Sequence, residues 1–220
     1  MPVSKSQRAL VLVNSLSQYS TGIWKTVYQV GEWSGKTITL TALGDDYANI
    51  YTRAGGNATK QKFLSKLRTA ATTPGIRAVD VFFHLHGGDN EFVFYDNERV
   101  SASTLRDEIL ALNLPNCLRL CYNLACYGDS QNHSEMLDAG FVTTIGAKKV
   151  ACTAAAEFPI FCSFWQYDNK ISDIMPLADN PLTRAALDAA ISAASASMRN
   201  KTDSTKVIRG SQDLRISSSV

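Results

Sequence analysis

The sequence predicts an α/β fold, three layers with a mostly parallel sheet between two sets of helices. Three observations carry this. Short apolar runs such as "ALVLVNSL", "RAVDVFFHL", "CLRLCYNLA" and "FVTTIGA" have the length and the β-branched or aromatic content of buried strands. Stretches with helical spacing of Leu, Ile and Phe lie between several of them, and such alternation sets parallel strands side by side with helices on both faces. The chain has 220 residues, 45% of them hydrophobic, enough for a sizeable core, and 1–220 reads as a single domain.

In chain order, Ala9 to Leu16 is a first inner strand, and Lys36 to Leu43, "KTITLTAL", rich in β-branched residues, reads as a second. "GDDYANIYTRAGGNATKQ" is polar and glycine-bearing and reads as a long loop, with Asn57 placed to cap a helix. That helix, "ATKQKFLSKLRTAA", sets Phe63, Leu64 and Leu67 on one side, and "TTPG" ends it. Arg77 to Leu85 is the third strand, followed at once by His86-Gly87-Gly88. "EFVFYDNERV" reads as a hairpin or edge strand. Ser103 is placed to cap "TLRDEILALN", where Leu105, Ile109 and Leu112 keep helical spacing. The fourth strand is "CLRLCYNLA". A short helix "SQNHSEMLDAG" and a fifth strand "FVTTIGA" follow. "ACTAAAEFPIFCSFWQY" reads as helix interrupted near Pro159, "PLTRAALDAAISAASASMRN" as an alanine-rich helix, and "DLRIS" as a candidate last strand.

With 22 basic against 20 acidic residues the formal net charge is +2, which gives no electrostatic footprint for nucleic acid or an anionic membrane. No apolar run approaches the ~18 residues of a membrane span. "ALVLV" is too short for a signal-peptide core, so the reading is of a cytoplasmic protein. The five cysteines, Cys117, Cys121, Cys126, Cys152 and Cys162, match no usual disulfide framework and are expected as free thiols. Cys117, Cys121, Cys126 and His133 are close in sequence, but C-x3-C-x4-C-x6-H is no common zinc pattern, and no metal site is expected.

The chemistry points to two strand ends. In open α/β sheets functional groups gather beyond the carboxyl ends of the strands. One apolar strand here stops in "FHLHGG" and another in "YNLACYG". Between them lie a hairpin and a helix, a plausible crossover between neighbouring parallel strands, which would put His86 and Cys126 at one sheet edge. A thiol beside an imidazole becomes a nucleophile, and a helix N-terminus following Cys126 would lower its pKa. The backbone N–H groups of Gly87 and Cys126 are natural oxyanion donors, and the glycines let a peptide come close.

A hydrophobic block ending in His-Gly and a second ending in Ala-Cys resemble the caspase-like cysteine peptidases, which include caspases, metacaspases, legumain, gingipains, separase and the bacterial CHAT-type domains. The similarity is greatest to the CHAT-type domains, over "VFFHLHGGDNEFVFYDNERVSASTLRDEI", "LRLCYNLACYGDS", "MLDAGFVTTIGAKKVACTAAAEFPIFCSFW" and "VIRGSQDLRIS", roughly Arg77 to Ile216. The resemblance implies a caspase-like sandwich and a cysteine endopeptidase with Cys126 as nucleophile and His86 as general acid/base. It implies no metal or organic cofactor, a peptide or protein substrate, and activation by processing or a partner, with Asp45 to Lys60 and Asp168 to Pro181 as places for a nick. Metacaspases and legumain carry an acidic residue two before the cysteine, where this chain has Leu124; caspases have Gln-Ala-Cys where it has Leu-Ala-Cys. Most relatives cut after Arg or Lys, so a basic P1 is favoured, with Asp45, Asp46, Glu157 and Asp168 as acidic candidates to receive it.

Other readings compete. Free cysteine is often simply buried, the expectation for Cys117, Cys121, Cys152 and Cys162. His84 faces the same side of its strand as His86 and is the fallback base, though more in keeping with a satisfied strand histidine. His133 reads as solvated on a polar helix, and Trp24, Trp33 and Trp165 as packing residues. A caspase-like fold also serves as a non-catalytic scaffold or regulatory binding module. A flavodoxin-like small-ligand binder is disfavoured because no phosphate-loop pattern occurs.

Overall fold

The computed structural model describes residues 2–19, 22–151, 153–194 and 201–220. The strands are β1 (Arg8–Ser15), β2 (Asn49–Ala54), β3 (Ala78–Gly88), β4 (Glu91–Phe94), β5 (Glu98–Ser101), β6 (Leu118–Asn123), β7 (Thr143–Ala147) and β8 (Lys206–Gly210). The helices are α1 (Gly22–Leu43), α2 (Lys60–Thr72), α3 (Ala102–Ala111), α4 (Gln131–Asp138), α5 (Ala154–Trp165), α6 (Ile171–Ala178) and α7 (Pro181–Ala194). The sheet runs β2-β1-β3-β6-β7-β8, parallel except for β8, and the β4–β5 hairpin extends from the end of β3.

Two cores flank the sheet. Val11, Val13, Val79, Val81 and Phe83 meet Phe63 and Leu67 of α2, Leu105 and Ile109 of α3 and Met136 of α4. Leu10, Leu12, Phe82 and Tyr122 face the other way, against Leu43 of α1, Phe158, Phe161 and Trp165 of α5, and Ile174 of α6. Alternate residues of one strand serve opposite cores, as the pleat requires. The expected three layers are therefore present.

Several elements differ from the sequence expectation. Lys36 to Leu43 is the last two turns of α1, not a strand. Gly35, Thr39 and Leu43 are buried at helical spacing, so packing overrides the β-preference of the Thr and Ile residues. The long polar loop contains edge strand β2, whose residues are all half-buried and so show no alternation. Thr59, not Asn57, caps α2, accepting from the Lys62 N–H at 3.3 Å. Ser101, not Ser103, caps α3, accepting from Thr104 N–H at 3.1 Å. Helix α5 runs through Pro159, whose missing bond falls in the first turns. The last strand is β8; "DLRIS" is turn structure that buries Leu214 and Ile216 beneath the sheet. Asp168 to Pro181 contains α6, with Ile171 and Ile174 fully buried, so half of the segment expected to be an open loop is a packed helix. Trp165 is buried as expected, whereas Trp33 is 69% exposed. The Trp24 side chain, Cys152 and the end of the alanine-rich helix lie outside the described residues.

One irregularity sets the alignment of the central strands. Val79 pairs with Leu118, but Val81 pairs with Cys121, so β6 carries one extra residue. The Leu120 N–H at this bulge donates to Asp80 Oδ1 at 3.1 Å. Arg119 donates from Nε to the same oxygen at 2.9 Å and from Nη2 to Oδ2, and both side chains are fully buried. The Tyr47 hydroxyl also donates to Oδ2, at 2.5 Å, and accepts from the Trp165 indole at 3.1 Å. Arg119 Nη1 donates to the Ile216 and Ser218 carbonyls, tying down the C-terminal segment. Asp80→Ala, which strands a buried guanidinium and the bulge amide, is expected to cost about 3–5 kcal/mol, read from urea unfolding midpoints.

Candidate active site

Beyond the bulge the paired residues of β3 and β6 are 40 positions apart, as in Phe83 with Asn123. The Leu124 N–H continues the ladder to the Phe83 carbonyl at 2.9 Å. His86 and Cys126 lie past the last residues paired between these two strands, His86 within β3 and Cys126 in the turn that follows β6. Contact between the two strand ends is close at Gly87. A Cβ built there would lie 2.8 Å from both the Ala125 Cβ and the Cys126 carbonyl oxygen, so only glycine lets the His-bearing strand end lie against the cysteine loop.

His86 Nε2 is 2.6 Å from the Leu16 carbonyl oxygen at the end of β1. A carbonyl only accepts, so Nε2 carries the proton and the lone pair falls on Nδ1. Tyr28 of α1 packs edge-on against the ring, centroids 4.9 Å apart. Burial pulls the imidazole pKa below its ordinary value, opposed by the Leu16 carbonyl and the Glu32 carboxylate.

Cys126 is half-buried, whereas Cys117, Cys121 and Cys162 are fully buried; all four are free thiols. Burial pushes up the thiols of those three, as expected of inert core cysteines. It also pushes up that of Cys126, against the pull of the Ala151 backbone N–H and the Lys206 ammonium. The expected lowering by a helix terminus does not occur: α4 begins only at Gln131, past a turn in which Tyr127 adopts φ 57°. A bulky residue there is sparsely tolerated. The Tyr127 N–H bonds the Lys149 carbonyl at 2.7 Å and the Asp129 N–H the Ala147 carbonyl at 2.8 Å, tying this turn to the end of β7.

His84 faces α1 and α5, its ring 4.5 Å from that of Phe158, and burial lowers its pKa to about 3. That makes it a poor base near neutral pH. His133 is not solvated but 3% exposed, its Nδ1 bonded to Thr144 Oγ1, with its pKa also lowered to about 3. It turns inward because α4 packs on β7. Among the described residues no three His, Cys, Asp or Glu side chains gather as a metal site.

Of the acidic P1 candidates, Glu157 is buried and pairs with Lys206 at 3.1 Å while accepting from the Tyr122 and Thr153 hydroxyls. Asp46 pairs with Lys5 at 3.2 Å, Asp168 accepts from the Ser217 N–H at 3.0 Å, and Asp45 is exposed. The sequence reading missed Leu16, Tyr28, Glu32 and Lys206. They carry no motif, and they reach the site only through the packing of α1, the turn after β1 and β8.

Gly87→Ala is expected to lower stability by about 1–3 kcal/mol in urea unfolding, because the strand end must move off the cysteine loop. The buried histidines predict an acid weakness. His84 and His133 stay neutral in the fold to about pH 3. The unfolded chain binds their protons from about pH 6.5 downward, so their contribution is complete above that pH and is lost as pH falls. Each should add about 1.4 kcal/mol per pH unit to the slope of unfolding free energy below pH ~5.5, and His84→Asn should remove one such increment.

No known family's sequence pattern matches this chain, and no curated protein matches it by sequence. Among solved structures it is similar to caspase-1 from Spodoptera frugiperda, with 13% sequence identity over 94% of this chain and 88% of that one, at a TM-score of 0.56. The likeness is one of fold: the chain is a caspase-like α/β sandwich.

Proposed function

We propose that the protein is a cytoplasmic cysteine endopeptidase acting through His86 and Cys126. The observation that carries this reading is the close approach of Gly87, the residue after His86, to the Cys126 backbone. The His86 tautomer supports it, since Nδ1 holds the lone pair a base needs. In the reading, Nδ1 takes the Cys126 proton as sulfur attacks the peptide carbonyl. The Gly87 and Cys126 N–H groups hold the oxyanion. The imidazolium then protonates the leaving amine, leaving a thioester. Water, deprotonated by the same nitrogen, hydrolyses it and restores the thiol. Because burial raises the thiol and lowers the imidazole, the resting pair is neutral, and the thiolate forms during attack.

The raised thiol also favours a second reading, a catalytically silent caspase-like scaffold or regulatory module. A P1-varied fluorogenic peptide library separates the two, with basic, acidic and neutral P1 residues. Hydrolysis by the wild type, reduced at least ~10³-fold in Cys126→Ala and His86→Ala, is the expected result. Iodoacetamide should label Cys126 slowly at pH 7, the rate climbing with pH beyond the ordinary thiol value of ~8.5. No hydrolysis of any peptide, together with no labelling of Cys126 by a peptide-based electrophile, would establish the scaffold.

A further inference from the structure

The Glu32 side chain, on α1, holds the turn that follows β1. Its Oε1 accepts from the Leu16 N–H and, at 2.8 Å, from the Ser17 N–H; its Oε2 accepts from the Ser17 hydroxyl at 2.9 Å. Asn14 Nδ2 donates to the Glu32 carbonyl at 2.6 Å, fixing helix and strand end to each other. The Ser17 N–H and the Leu16 C=O belong to one peptide unit, and in a trans peptide they point in opposite directions. The group that binds Glu32 on one side therefore aims its oxygen at His86 Nε2 on the other, 2.6 Å away.

We propose that Glu32 is a positioning residue for His86, acting through the Leu16–Ser17 peptide as a carboxylate–peptide–imidazole relay. A carboxylate on the N–H polarises the peptide and makes its carbonyl a stronger acceptor. The carbonyl fixes the ring and its tautomer and stabilises the imidazolium as it forms. In a Ser-His-Asp triad a carboxylate does this by direct contact; here one peptide unit intervenes. Tyr28, one turn earlier on α1, holds the ring from its edge. Glu32 and Tyr28, both on α1, face His86, and the Cys126 backbone lies against Gly87.

The proposal rests on the peptidase reading, so its test needs a readout that does not require turnover. Nitrogen and proton NMR of His86 in the wild-type protein should show the Nε2–H tautomer with a downfield Nε2–H resonance. In Glu32→Gln, which keeps the shape and removes the charge, the imidazole pKa should fall and the resonance move upfield, with the urea midpoint as a folding control. If peptides are cleaved, Glu32→Gln should lower kcat about 10–100-fold with KM within twofold, the scale seen for partners that act through another group. The acid limb of the pH–rate profile should move to lower pH. An Nδ1–H tautomer in the wild type would overturn the relay. So would an unchanged His86 titration in folded Glu32→Gln. A wild type that cleaves nothing and is not labelled at Cys126 by a peptide-based electrophile, but shows the expected NMR shifts, would sink the peptidase reading and leave the relay standing.

Discussion

The buried contact of Asp80 with Arg119 and the Leu120 N–H governs what the rest of the sheet presents. A parallel ladder repeats its register until something interrupts it, and a shift of one residue sends every later side chain to the other face. The interruption here is the extra residue in β6. Arg119 and Leu120 both lie on the α5 side of the sheet because of it. Without it the partners would stay 39 positions apart, as Val79 and Leu118 are, and Phe83 would pair with Tyr122 rather than Asn123. The carboxylate makes the bulge tolerable by accepting its orphaned amide, and the guanidinium makes the buried carboxylate tolerable. Tyr47, Trp165 and the C-terminal carbonyls complete the satisfaction of both.

Dehydration dominates the electrostatics at the other end of the same strands. It raises the Cys126 thiol and lowers His86, so a resting ion pair is disfavoured on both sides. What opposes it is local and directional: the Ala151 N–H and Lys206 at the sulfur, the Leu16 carbonyl and Glu32 at the imidazole. Lys206 is itself buried and held by Glu157.

The fold was legible wherever a strand is buried on both faces. β1, β3, β6 and β7 read as mostly apolar runs because they are buried on both faces, β3 as far as Leu85. β2 was hidden because an edge strand of half-buried residues lacks both the apolar run and the alternation. The end of α1 was misread because Thr and Ile have β-preferences that a long packed helix overrides. α6 went unassigned although it buries Ile171, Ile174 and Met175, since eight residues containing a proline give too short a periodic signal.

By itself the sequence determined the layered α/β class and the buried inner strands, with His86 near the end of β3 and Cys126 in the turn after β6. Those follow from local hydrophobicity and chain order, which need no partner to be read. Only the tertiary structure decided the β3–β6 register, the seating of Gly87 against the cysteine loop, the direction in which burial shifts His86 and Cys126, and the contacts of Leu16, Tyr28, Glu32 and Lys206. Each depends on which atoms far apart in the chain come within hydrogen-bond reach and on how much water is excluded there, and neither quantity is a property of any single stretch of sequence.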